Sequence, residues 1–148
     1  MNVLKIKKLT ESAILPRRAT DGAAAADLYA DLSEPVTLPA GGRALIPTGV
    51  SIELPSKELV ALVFARSGLA VKQGISLSNA VGVIDSDYRG ELKVGLVNLS
   101  DREFTVHGGD RIAQLMVTYA LPLPIFEADE LSETERGEGG FGSTGISG

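Results

Sequence analysis

Two stretches of this chain gather side chains that could do chemistry. The first, Asp85-Ser-Asp-Tyr-Arg-Gly-Glu91, sets three carboxylates beside a phenol and a guanidinium, directly after the apolar run 80–84. A carboxylate at a strand end can activate water. In the plainer alternative, Asp85 or Asp87 satisfies the backbone donors of a tight turn. The D-x-D-x-x-G order also suggests a calcium loop, but Arg89 stands at its fifth position and Leu96 at its twelfth, where a bidentate glutamate is required. Calcium is excluded on that ground. The second stretch, residues 136–148, sets six glycines around Arg136, Phe141, Ser143 and Thr144. Glycines let a backbone lay its N–H groups against a ligand, Arg136, Ser143 and Thr144 offer donors to phosphate, and Phe141 offers a stacking face. The same composition also suits a frayed tail or a linker. A P-loop alignment of Gly137, Gly142, Ser143 and Thr144 fails because Ser143 occupies the place of the phosphate-binding lysine.

Three further segments carry single polar groups. In Phe64-Ala-Arg-Ser-Gly-Leu-Ala70, Arg66 and Ser67 fall where an apolar strand must turn. A serine hydrolase is not supported, since G-x-S-x-G is absent and His107 is the one imidazole available as a base. Ser67 is better read as a hydrogen-bond donor or as the cap of a short helix. Asp27, within Ala24-Ala-Ala-Asp-Leu-Tyr-Ala30, is either a charge guarding an edge strand or a partner of a hydrated cation. Gln114, within Gly109-Asp-Arg-Ile-Ala-Gln-Leu115, either points to solvent or serves a ligand.

The elements that must position these groups are short. Apolar runs at 36–38, 43–47, 50–54, 59–64, 75–77, 81–84, 91–99, 104–106 and 112–119 are separated almost everywhere by Gly, Pro, Asn or Asp. Runs of that length and spacing predict an all-β sandwich or barrel. Residues 67–73 form the one predicted helix, while 101–103 and 108–109 read as hairpin turns on either side of 104–106. After Tyr119, two prolines in Leu-Pro-Leu-Pro-Ile-Phe forbid a central strand and predict an extended arm. The expected division is a β-domain over 1–126 and an arm with a glycine-rich lid over 127–148.

Composition narrows the chemistry. With 148 residues, 44% of them hydrophobic, the chain can bury one core. It has no cysteine and a single histidine, which removes thiolate and His-rich metal sites, so any metal would be held by oxygen. A net charge of −5 argues against stable nucleic-acid binding but not against one small anionic ligand held by local donors. No apolar run reaches the ~20 residues of a membrane span, so a cytoplasmic location is expected.

Taken together and in order, Ala26-Asp-Leu-Tyr-Ala30, Ala65-Arg-Ser-Gly68, residues 79–90, Gly109-Asp-Arg-Ile-Ala-Gln114 and residues 136–145 resemble the five motifs of the trimeric deoxyuridine triphosphatases. The third and fifth, Gly-Val-Ile-Asp-Ser-Asp-Tyr-Arg-Gly and Arg-Gly-x-Gly-Gly-Phe-Gly-Ser-Thr-Gly, carry most of the specificity. The resemblance implies a distorted jelly-roll with one short helix and a flexible glycine-rich arm. It also implies hydrolysis of dUTP to dUMP and diphosphate with Mg²⁺, in a homotrimer whose sites are shared between chains. By the same resemblance Asp85 is the general base, and Arg66, Ser67, Gly68, Gln114, Arg136, Gly142, Ser143 and Thr144 serve the triphosphate. Asp27 meets Mg²⁺ through water. Asn79, Gly82, Val83 and Ile84, in a hairpin with a returning strand at Lys93, would read uracil, whose methylated relative thymine is excluded. Tyr88 would lie against the deoxyribose and Phe141 would stack on the base. Ala25-Ala26 replaces a glycine common in that family, which bears only on local strand geometry. The rival readings are a dCTP deaminase of the same fold and a nonenzymatic trimeric β-module.

Overall fold

The computed structural model describes residues 3–140, and Phe141, Gly142, Ser143 and Thr144 lie outside the described residues. Among the described residues, eleven strands and one helix follow in order: β1 Lys5–Lys8, β2 Ala26–Tyr29, β3 Val36–Leu38, β4 Arg43–Pro47, β5 Val50–Glu53, β6 Leu59–Phe64, α1 Ser67–Gln73, β7 Ile75–Leu77, β8 Gly82–Ile84, β9 Lys93–Asn98, β10 Phe104–Val106 and β11 Arg111–Tyr119. They pair as β1-β5, β10-β3, β2-β11-β6-β8 and β4-β9-β7, with every pairing antiparallel. Alternation explains the layers. Ala61 and Val63 of β6 and Ala113 and Leu115 of β11 are buried in one core with Ile46, Ile75, Val94 and Leu96 from the other large sheet.

The turns at 101–103 and 108–109 are not hairpins. β10 between them pairs with β3, whereas β9 pairs with β4 and β7, and β11 with β2 and β6. Each turn therefore carries the chain from one sheet to another, which turn residues alone do not reveal because they fix a reversal and not the partner. Strand β1 was not expected either. Its Lys-Ile-Lys-Lys sequence has almost no apolar content, and it forms by tertiary pairing, with Ile6 opposite Ile52 and Lys5 bonded to Glu53 at 2.7 Å.

The helix spans the predicted residues, but Ser67 does not cap it. Arg66 is the N-cap, in extended conformation and without a side-chain cap bond. At the other end Gly74 adopts φ 70°, and its N–H returns to the carbonyls of Ala70 and Leu69. A side chain at this position would meet the backbone of Ser100 at 3.0 Å, so glycine is required for space as well as for the left-handed turn.

One buried polar side chain joins the strands. Asn98 donates to the carbonyls of Leu38 (3.0 Å) and Arg102 (2.7 Å) and accepts from the N–H (3.0 Å) and hydroxyl (2.7 Å) of Ser100. All its donors and acceptors are used. Beyond Tyr119 the described residues contain no strand or helix, and Leu121, Leu123, Ile125, Phe126 and Leu131 are exposed. No helix among the described residues is long and apolar enough to cross a membrane.

Candidate functional site

The register of β11 with its two neighbours sets Asp27, Gln114 and Phe64 in one line across three strands. Directly opposed residues of antiparallel strands share a face, so these side chains are neighbours. Asp27 is held there by two guanidiniums: Arg66 Nε donates to Oδ1 at 2.8 Å, and Arg111 Nη1 lies 3.4 Å from Oδ2. Gln114 does not point to solvent. Its Nε2 donates to the carbonyl of Ala65 at 2.9 Å, tying β11 to the loop that carries Arg66. Arg66, Leu69, Asp110, Arg111 and Ile112 border a cavity of about 260 Å³. Arg66 and Arg111 bring two guanidiniums to this cavity, matched by the carboxylates of Asp27 and Asp110, and their remaining N–H groups suit an anionic ligand. Ser67 and Gly68, the first residues of α1, are exposed nearby in sequence.

Arg111 was not among the residues singled out from sequence. The register shift between Arg111 and Ala113 explains it, because a bulge redirects a side chain from the face that simple alternation assigns. No spacing rule marks such a position in advance.

The second group lies around β8. Among the described residues this strand pairs only with β6, so its other edge has no backbone partner there. Before it, Ala80 sits at φ 62°, and the N–H of Val81 closes a three-residue turn on the carbonyl of Asn79 at 2.7 Å. A non-glycine residue in that conformation is strained. At Gly82 an added Cβ would lie a tight 3.1 Å from Val63 Cβ, and Asn79 Nδ2 is close by. After β8 the chain reverses through a turn closed by the Tyr88 N–H on the Asp85 carbonyl at 3.2 Å. The turn thus uses the backbone oxygen of Asp85, and the exposed carboxylate forms no hydrogen bond or ion pair among the described residues. Tyr88 folds over Gly90, so that a side chain there would displace its ring, and donates to the Glu91 carbonyl at 3.0 Å. Glu91 is structural: its Oε1 accepts the Gly49 N–H at 2.9 Å, and Oε2 lies 3.6 Å from Lys93 Nζ. Leu45, Val83, Ile84, Asp85, Tyr88 and Lys93 border one cleft of about 310 Å³.

The expected hairpin between 79–84 and the strand at Lys93 is absent. β8 belongs to the sheet of β6, and β9 pairs with β4 and β7; the two strands face each other only across this cleft. The short extension of β7, with Ser78 N–H bonded to the Gly95 carbonyl at 2.8 Å, ends before Asn79.

The two groups occupy opposite ends of β6. Ile84 is opposite Ala61, so Asp85 continues toward residue 60, whereas Arg66 follows Phe64 at the other end. Six residues of extended chain separate these levels, about 20 Å at the rise of a β-strand. Arg136 joins neither group, and its Nε bonds the Gly139 carbonyl at 2.7 Å.

The family model for dUTPase matches residues 11–145. The chain belongs to the dUTPase family. A deoxyuridine 5'-triphosphate nucleotidohydrolase of Treponema denticola is 52% identical over 94% of this chain and 96% of the relative. Another, from Desulfitobacterium hafniense, is 49% identical over 99% and 100%. The dUTPase of Staphylococcus bacteriophage 80alpha, solved with dUpNHpp, superposes with a TM-score of 0.89 at 28% identity, covering 99% of this chain and 100% of that one. A dUTPase of the S. aureus phage phi11, described as coordinating a structural Mg(II) ion, has the same fold with a TM-score of 0.79 at 23% identity, over 89% and 100%. The all-β jelly-roll of the dUTPase family is thus the fold of this chain.

Proposed function

We propose that this chain hydrolyses dUTP to dUMP and diphosphate, which limits uracil entry into DNA and supplies dUMP for dTMP synthesis. The observation that carries the arrangement of the site is the separation along β6. A base at one end and arginines at the other favour a site completed by neighbouring copies, which this reading takes as a homotrimer. The cleft of one copy supplies Asp85, and Arg66, Ser67, Gly68 and Gln114 of another hold the triphosphate. In this reading residues 1–126 form the body, and 127–148 form an arm that brings Arg136, Phe141, Gly142, Ser143 and Thr144 over the ligand.

The chemistry asks for little covalent work. Asp85 takes a proton from the water that attacks the α-phosphorus, and its freedom from internal bonds leaves both oxygens available. Uracil presents N3–H and O4, a donor and an acceptor that the free edge of β8 at Gly82, Val83 and Ile84 can meet, with Asn79 and Lys93 at the margins. Tyr88 closes the sugar side, where a ribose hydroxyl would collide.

Mg²⁺ fits this donor set only in an outer role. The described residues contain no group of three or more metal-ligating side chains, and both oxygens of Asp27 face guanidiniums. An ion that keeps its waters and takes phosphate oxygens needs no protein cage. Asp27 Oδ2, with its longer 3.4 Å contact, is the atom suited to a water-mediated approach. The ion would supply neutralisation of phosphate charge. Such an enzyme works where DNA precursors are made, in the cytoplasm.

The test is pyrophosphate release from dUTP, dCTP, dTTP and UTP with Mg²⁺. Release from dUTP alone is the expected result. Ammonia from dCTP would favour a deaminase, and no turnover of any of the four would favour a nonenzymatic module.

A further inference from the structure

We infer that Arg17 is a further contact for the substrate's phosphates beyond the α position. The inference rests on the dUTP reading above. Arg17 and Asp27 form an isolated antiparallel bridge on the open edge of β2, with the Asp27 N–H bonded to the Arg17 carbonyl at 2.8 Å. Opposed residues share a face, so the line Asp27-Gln114-Phe64 is extended outward by one more member, Arg17. Alternation provides an internal check. Arg18, the next residue, borders a groove on the other face with Ala26, Leu115 and Val117.

The charges say what Arg17 awaits. Asp27 already has Arg66 and Arg111 at its two oxygens, and the Arg17 side chain makes no hydrogen bond or ion pair among the described residues. Arg17 thus adds a third arginine to the strand face that carries Asp27, at its exposed edge and without an internal partner among the described residues. A guanidinium presents a planar fork of donors suited to phosphate oxygens. Because Arg17 is exposed and lies at the rim of the line, it meets the end of the ligand that projects toward solvent.

The experiment compares wild type, Arg17→Ala, Arg17→Lys and Arg18→Ala for binding of dUpNHpp and dUMP. The triphosphate analogue should bind about five- to tenfold more weakly to Arg17→Ala, the effect of one exposed charge-assisted contact, while dUMP affinity stays unchanged. Arg17→Lys should recover part of the loss, and Arg18→Ala should match wild type. Unchanged analogue binding by Arg17→Ala overturns the inference, as does an equal weakening for dUMP, which would mark a structural role. If Arg17→Ala does not fold, Arg17→Gln carries the same comparison with the chain length kept. Failure of wild type to turn over dUTP would refute the functional reading itself, a separate result from wild-type activity with an indifferent Arg17.

Discussion

Asp85 keeps its carboxylate free because the turn after β8 closes on its backbone oxygen. Replacing it with Asn keeps the shape and removes the proposed base. Asp85→Asn should bind dUpNHpp as wild type does, yet lose ~10²–10⁴-fold in turnover, the usual worth of a general base. Calorimetry and pyrophosphate release check the two halves, and lost binding would make the residue structural. Asn98 is the opposite case, a polar side chain committed wholly to the fold. Asn98→Ala would leave the Leu38 carbonyl and the Ser100 N–H without their partner, while the Ser100 hydroxyl keeps its bond to the Arg102 carbonyl, for an expected loss of about 1–3 kcal/mol. Urea unfolding at fixed chain concentration measures it. The candidate residues stand out at this scale by their types and their order along the chain. What was not legible was direction. Gln114 turns inward to Ala65 and Arg111 turns onto Asp27, and both depend on a register and a bulge that exist only once β2 and β6 have docked on β11.

At the scale of elements, short strands were visible as runs between turn residues, and α1 was visible as the one run without them. Partners were not visible. Three-residue strands such as β3, β8 and β10 carry too little pattern to choose among sheets, so 101–103 and 108–109 looked like hairpins. β1 escaped notice because its stability comes from β5. Across that pair, the hydrogen bond and charge of Lys5, with a lesser effect of Arg89, lower the pKa of Glu53 below its usual 4.5. A lowered carboxylate pKa means stability that is present above the unfolded value and lost as pH falls through the folded one. Lys5→Ala should therefore move the Glu53 titration midpoint, followed by NMR, upward. With both side chains well exposed, activity near neutral pH should not change.

At the scale of the whole molecule, the distance along β6 underlies the proposal that a complete site belongs to an assembly. Chains lacking residues 127–148 should fold and associate yet turn over little dUTP, and Asp85→Asn chains should do the same. Mixed and refolded together, the two inactive populations should regain activity, because some sites then draw an intact base from one copy and an intact arm from another. Activity that stays absent in the mixture would show that each chain works alone. The arm has one more property. Residues 127–148 contain six carboxylates and a single arginine, which accounts for the entire net charge of −5. Loss of this segment by proteolysis would leave a nearly neutral body, so on a native gel or an ion-exchange column the clipped protein would separate from the intact form before any assay is run.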